Sequence, residues 1–299
     1  QRFLILVLFA LMTISFQTSG WSQIPVHSPD KNQALLNEPF DISGDFRNFS
    51  NAYYLADSLS AFDPSTGQGK IKYRRYEYFT RQAFNNMLGV LRQVKPIDFP
   101  EGEYAVSPEL PLTVSFVSPR TIRIRTNSRF EVQSDQESLM LVNGKAPEDR
   151  NSWVYSKISN GHKYTSPNGS VIISEYPWRI EIFDASGKLL TRTFNNKDGS
   201  ETLTPVLPFS FVRRALDYST SMSAAFTLSP DEKIFGCGES FTGFNKRGQK
   251  IVLWADDANG VQNEAMYKPI PFFMSSRGYG LFMHTSSPIT CDFGKYYSG

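Results

Sequence analysis

Residues 254–260, Trp-Ala-Asp-Asp-Ala-Asn-Gly, gather an aromatic ring, two adjacent carboxylates and a glycine. That combination suits a sugar: an aromatic face packs on the C–H surface of the ring, and carboxylates accept hydrogen bonds from its hydroxyls. Trp254, Asp256 and Asp257 are therefore the candidate substrate-binding residues. The two aspartates do not suit catalysis as a pair. Neighbours in extended chain point to opposite faces, whereas a retaining glycosidase needs two carboxylates facing each other at about 5–5.5 Å. An Asp-rich turn uses the same residue types, and on the residues alone both readings stand.

Other chemistries lack their residues. His27, His162 and His284 are far apart, and neither H-E-x-x-H nor C-x-x-C occurs, so no metal site is expected. Gly236-Cys237-Gly238-Glu239 opens like a phosphate loop, but Phe241 stands where G-x-G-x-x-G needs its last glycine. Ser240 is followed by Phe241-Thr242, which breaks the G-x-S-x-G pattern of a nucleophile elbow. No cofactor is implied. The run Lys70 to Tyr76 interleaves basic and aromatic residues as single-strand nucleic-acid sites do. Net charge is only +2, from 31 basic and 29 acidic residues, so a solvated strand or loop is expected there and no nucleic-acid partner. The two cysteines, Cys237 and Cys291, exclude a disulfide scaffold. Both lie in strand-like stretches, where a disulfide outside the cytoplasm and a pair of buried free thiols fit equally.

The elements that would position these residues are mostly strands. Of 299 residues, 40% are apolar and 14% aromatic, a composition that packs a core and favours β structure. Short runs separated by turns fill the chain from about residue 104: 112–117, 121–125, 171–173, 179–183, 224–228, 251–254 and 279–283. Thr121 to Arg125 and Arg179 to Phe183 alternate strictly, the period of a half-buried strand. The pattern predicts a mostly β, antiparallel sandwich over 104–299. One stretch reads differently. Between Phe79 and Val94, Phe84, Met87, Leu88 and Leu91 follow i, i+3, i+4, i+7 spacing, which predicts a single helix in an extension over 23–103. Residues 3–16 are nearly continuous apolar sequence behind Arg2, the length of a signal-peptide core. Residues 1–22 are expected to be a signal peptide cut near Gly20 to Gln23, placing the protein in a secreted or periplasmic location. The chain starts at Gln1 and stops in Tyr296-Tyr297-Ser298-Gly299, as expected of a piece cut at both ends.

Five segments in order then carry a resemblance. They are 234–241 (Ile-Phe-Gly-Cys-Gly-Glu-Ser-Phe), 244–249 (Phe-Asn-Lys-Arg-Gly-Gln), 253–257 (Leu-Trp-Ala-Asp-Asp), 264–273 (Glu-Ala-Met-Tyr-Lys-Pro-Ile-Pro-Phe-Phe) and 276–282 (Ser-Arg-Gly-Tyr-Gly-Leu-Phe). Together they resemble the N-terminal β-sandwich region of glycoside hydrolase family 31, the α-glucosidase and α-xylosidase family. The resemblance implies a galactose-mutarotase-like sandwich followed by a (β/α)8 barrel that carries both catalytic aspartates. The nucleophile's motif is not found in these residues, so the catalytic residues are expected beyond the chain end. It implies further that an aspartate on a sandwich loop over the barrel mouth contacts the outermost sugar; by position this is most like Asp257, with Asp256 its neighbour. The expected function is that of an N-terminal fragment of a secreted retaining exo-α-glycosidase, an α-xylosidase or α-glucosidase. Its partners would be an oligosaccharide or polysaccharide and its own C-terminal barrel. The alternative is a stand-alone, non-catalytic carbohydrate-binding module.

Overall fold

A computed structural model describes residues 41–83, 86–95, 107–128, 137–194, 201–202, 207, 209–255 and 268–295. A short 3-10 helix, η1, spans Ile42–Arg47, capped by the Asp41 side chain, which accepts from the Ser43 backbone N–H. Strands β1 (Ala52–Asp63), β2 (Gln68–Ala83), β3 (Asn86–Gln93), β4 (Glu109–Ser118) and β5 (Thr121–Thr126) follow. Next come β6 (Val154–Ile158), β7 (Gly161–Ser166), β8 (Gly169–Ser174), β9 (Arg179–Asp184) and β10 (Leu189–Arg192). The rest are β11 (Glu201–Thr202), β12 (Ser210–Arg213), β13 (Thr220–Ser223), β14 (Ile234–Glu239), β15 (Lys250–Leu253), β16 (Lys268–Ser275), β17 (Gly280–Phe282) and β18 (Ile289–Asp292).

Among the described residues the strands form four antiparallel sheets. The largest has the order β11-β3-β2-β1-β12-β13, with β4 paired to β2 and β5 to β4. The second is the meander β10-β9-β8-β7-β6. The two pack face to face, because alternate apolar residues of each strand point inward. Ile71, Tyr73, Leu112, Val114 and Phe116 from the first sheet meet Tyr164, Val171, Ile173, Trp178 and Ile180 from the second. Rings meet across the interface, with Phe116 4.7 Å from Tyr164, and within the large sheet Tyr54 of β1 stacks on Phe211 of β12 at 4.5 Å. Full burial of side chains of this size stabilises the fold by about 1.5–3 kcal/mol each. The outer face of the large sheet is covered too. Tyr53, Leu55, Tyr76, Leu91 and Val212 form a second cluster there, and Phe46 of η1 packs on it.

The sandwich predicted from the alternation is present, with two corrections. Its large sheet includes β1, β2 and β3, which precede residue 104, and the predicted helix is absent among the described residues. Residues 79–83 and 86–94 are not a helix. They form the end of β2 and all of β3, with Phe79 opposite Val90 and Tyr78 opposite Leu91. Of the four apolar residues at helical spacing, Met87, Leu88 and Leu91 fall in β3, and Phe84 lies outside the described residues. Pairing of β2 with β1 and β3 outweighs that local pattern. Gly89 carried the contrary signal, since a helix interior disfavours glycine by about 1 kcal/mol. A β-carbon at Gly89 would approach the Tyr78 ring to 3.1 Å, so the glycine makes room for that ring. The run Lys70 to Tyr76 is indeed strand, inside β2, with Ile71, Tyr73 and Tyr76 buried. Of 224–228, only Phe226 pairs, in an isolated bridge to Thr193. The signal-peptide reading of 1–22 lies outside the described residues.

Two smaller sheets complete the fold: β14-β16-β17, and the ribbon β15-β18. They share a core of Ile234, Cys237, Ile251, Leu253 and Phe293, joined by Phe273, Met283 and Cys291. This is the part that holds the candidate site.

Candidate functional site

Trp254 directly follows β15 and is half-buried; its backbone N–H donates to the Val252 carbonyl at 3.1 Å. Asp256 and Asp257 lie outside the described residues. What is described is the pair of stems that hold their segment, β15 before it and β16 after it. Ile251 and Leu253 bury the inward edge of β15 in the shared core. The register Lys250 to Asp292, Ile251 to Cys291 and Leu253 to Ile289 fixes it against β18.

A polar clamp then ties this ribbon to the sandwich. The Lys250 ammonium donates to the Asp41 carboxylate and, at 2.7 Å, to Ser43 Oγ. Thr290 Oγ1 of β18 donates to Asp41 Oδ1 at 3.1 Å. Asp41 thus caps η1 and receives one bond from each strand of the ribbon. Burial pushes its carboxyl up, but the bonds from Lys250 and Ser43 outweigh this and hold it below its ordinary value.

The second stem is anchored separately. Glu232 is buried, and accepts from the Tyr279 hydroxyl at 2.7 Å, from Ser275 Oγ and from the Ser229 backbone N–H at 2.9 Å. Burial first, and then the adjacent Glu232 charge, push the Tyr279 phenol well up. Arg247 donates to the Ser229 and Glu232 carbonyls at 2.7 and 3.0 Å. Asn245 Oδ1 accepts from the Ile234 N–H at 3.1 Å. Arg277 reaches the Leu190 carbonyl at 3.0 Å on the five-stranded sheet. The buried Lys246 ammonium donates to Ser240 Oγ at 3.1 Å and Thr242 Oγ1 at 2.8 Å. Asn245, Arg247 and Gln249 therefore hold backbone, while Lys246 holds two hydroxyls.

Around these stems one sheet face is open. Ile270, Phe272 and Met274 of β16 are exposed and alternate with less exposed residues. Phe282 of β17 lies opposite Phe272, and Phe244, also exposed, packs 5.1 Å from Phe235.

The histidines do different work. Arg123 Nη2 lies 3.2 Å from His284 Nδ1, and His284 Nε2 lies 2.7 Å from Ser138 Oγ. A guanidinium only donates, so this arrangement assigns Nδ1 as acceptor and Nε2 as the protonated nitrogen. His284 then donates to Ser138 and does not act as a base toward it, which excludes a serine-hydrolase pair. His162 sits between the Tyr155 hydroxyl at 3.1 Å and Glu175 at 3.2 Å. Burial foremost, with the Lys157 charge, pushes its titration down, against the pull of Glu175. It tethers neighbouring strands of the meander. Among the described residues no three His, Cys, Asp or Glu side chains converge as a metal would need.

The type and spacing of residues pointed to Trp254 and its aspartates. They did not reveal Asp41, Glu232, Lys246 or Thr290, whose roles depend on partners distant in sequence. The glycine-punctuated run 236–248 was the one local signal of an unusual backbone there.

The fold defines a class: a two-sheet antiparallel sandwich with a ribbon and a small sheet at one end. The family described as the glycosyl hydrolase 31 N-terminal galactose mutarotase-like domain matches residues 111–292. The chain belongs to this family. The alpha-xylosidase XylQ of Lactiplantibacillus pentosus is 42% identical over 74 residues, 25% of this chain and 10% of that protein. An alpha-xylosidase of Emericella nidulans is 41% identical over 69 residues, 23% of this chain and 9% of its own length. The matches thus cover about a tenth of each relative. Among solved structures, a GH31 dextranase of Flavobacterium johnsoniae superposes with a TM-score of 0.52 at 20% identity, over 81% of this chain and 24% of that one. The cycloalternan-forming enzyme of Listeria monocytogenes gives 0.53 at 17% identity, over 83% and 19%. These structures share the fold. Among the described residues there is no (β/α)8 barrel, since every sheet is antiparallel.

Proposed function

We propose that this chain is the amino-terminal portion of a secreted, retaining exo-α-glycosidase that removes terminal α-linked sugars, with α-xylosides its first substrates and α-glucosides the second choice. The carrying observation is the doubly anchored stem pair. Two independent networks, one on Asp41 and one on Glu232, hold β15 and β16. These networks fix the strands on either side of the segment, and we assign the sugar contact to Trp254, Asp256 and Asp257 because their residue types suit it. The choice of α-xylosides rests on the two alpha-xylosidases, the nearest in sequence among the relatives named above.

The role of the domain is then to complete a sugar subsite, with the catalytic carboxylates supplied by a barrel. The exposed apolar face of β16 and β17 suits a large protein neighbour, since patches of this kind mark interaction surfaces. We assign it to that barrel. The experiment is a pair of assays with aryl α-xyloside and aryl α-glucoside. The polypeptide carrying the barrel should turn over the xyloside with the higher kcat/KM. The 299-residue chain alone should turn over neither. Turnover by the chain alone, abolished by an aspartate-to-alanine change within it, would place the catalytic groups here. Tight glycan binding by the chain alone, with no active longer form, would favour the binding-module reading.

A further inference from the structure

We propose that Cys237 and Cys291 are an oxidisable dithiol that closes a disulfide between β14 and β18 as the chain folds in an oxidising medium. The two residues come from different small sheets, yet both belong to the core those sheets share. In that core Cys291 Sγ lies 3.7 Å from Met283 Sδ, and the two cysteine thiols interact electrostatically with one another. Both are free in this structure, with Cys237 buried and Cys291 half-buried. Cys237 stands between Gly236 and Gly238 at a break in the β14–β16 register, with φ of 68°. Side chains rarely adopt that backbone. Here it coincides with a cysteine side chain turned into the core that also holds Cys291.

The surroundings divide the chemistry between the two thiols. Pairing with Cys291 pulls the Cys237 thiol down; burial opposes this, and the Lys246 ammonium adds to the pull. The same pairing and burial push Cys291 up. Cys237 is therefore the thiolate that attacks, and Cys291 the thiol that resolves. With a small-molecule disulfide as oxidant, Cys237 sulfur bonds to one oxidant sulfur and expels the other as thiolate. Cys291 then gives up its proton to that thiolate and attacks Cys237 sulfur, expelling the second half of the oxidant. The pair loses two electrons, and the oxidant becomes two thiols. Cys237 has no exposed surface, so a bulky oxidant reaches it in the folding chain or through local opening. Once closed, the bond encircles both stems of the 254–267 segment and restrains the unfolded chain.

The test uses the full chain, reduced and denatured, then refolded in buffer containing oxidised and reduced glutathione. Thiols are counted by alkylation in denaturant, together with intact mass and peptide mapping. We expect no alkylated cysteine, a mass lighter by two hydrogens, and a linked peptide pair containing Cys237 and Cys291. A phosphine reductant should then lower the melting temperature by roughly 5–10 °C, with no effect of reductant on Cys237→Ala. Cys291→Ala should instead trap a glutathione adduct on Cys237, because the resolving thiol is gone. If a variant does not fold, the wild-type thiol count decides. Two alkylatable cysteines in the refolded chain, or a glutathione adduct that persists on the wild type, would overturn the proposal.

Discussion

Asp41 does three jobs with one carboxylate: it caps η1, accepts from Lys250 and accepts from Thr290. Its carboxyl is held below its ordinary value of 3.8, so it binds fewer protons folded than unfolded. Its contribution to stability is complete above pH 3.8 and fades as pH falls through the lower, folded value. Hydrogen bonds to charged groups contribute about 1.5–3 kcal/mol, so Asp41→Asn should lower the melting temperature at pH 7 by about 3–12 °C. The gap between variant and wild type should close in melts below pH 4. A constant gap from pH 7 to pH 3 would remove the carboxylate charge from the explanation. Residue types that suit a sugar can be read at 254–257 because they are contiguous, though Asp256 and Asp257 lie outside the described residues. The Asp41 clamp was not, because Asp41 meets Lys250 and Thr290 from the far end of the sequence, and nothing local marks the pairing.

At the scale of elements, β14 and β16 are set by glycines that no other residue replaces. A β-carbon on Gly238, whose φ is 97°, would sit 2.0 Å from the Lys268 carbonyl oxygen, at the first residue of β16. Gly248, with φ of 77°, has nothing within 4 Å. Left-handed strain alone costs about 1–2 kcal/mol, which is the expected effect of Gly248→Ala in urea unfolding. Gly238→Ala adds a steric overlap, for about 3–5 kcal/mol in total. Equal effects of the two changes would show that the close approach of β14 to β16 is not what Gly238 permits. Strict alternation read β5 and β9 correctly, because each has one face in the core and its pattern is local. The β2–β3 hairpin was misread as helix because its identity lies in cross-strand pairing, which a periodicity count over one segment does not sense.

At the scale of the molecule, the large sheet does not begin at residue 104. Strands β1, β2 and β3 all precede that position and pair with β12, β4 and β11, which follow it. Tyr53, Tyr54, Leu55, Ile71 and Tyr73 from this first part are among the most deeply buried residues. A truncation starting at residue 104 would strip β4 and β12 of their partners and open the sandwich core. It should show no cooperative melt, and wild-type melting of that truncation would contradict the account. The sandwich class was legible from composition and alternation. Its start was not, because β1 finds β12 across some 150 residues of intervening chain.

The central claim is that this sandwich lends a sugar-binding carboxylate to a separate catalytic barrel. The most direct test is kcat/KM of the barrel-containing enzyme carrying Asp257→Ala, measured on its preferred aryl α-glycoside beside a melting curve. Loss of a charge-assisted bond of about 1.5–3 kcal/mol should lower kcat/KM roughly 10- to 150-fold, with the melting temperature unchanged. Asp256→Ala should have a smaller effect, and the reverse order would move the role to Asp256. If neither change alters kcat/KM, the claim is contradicted.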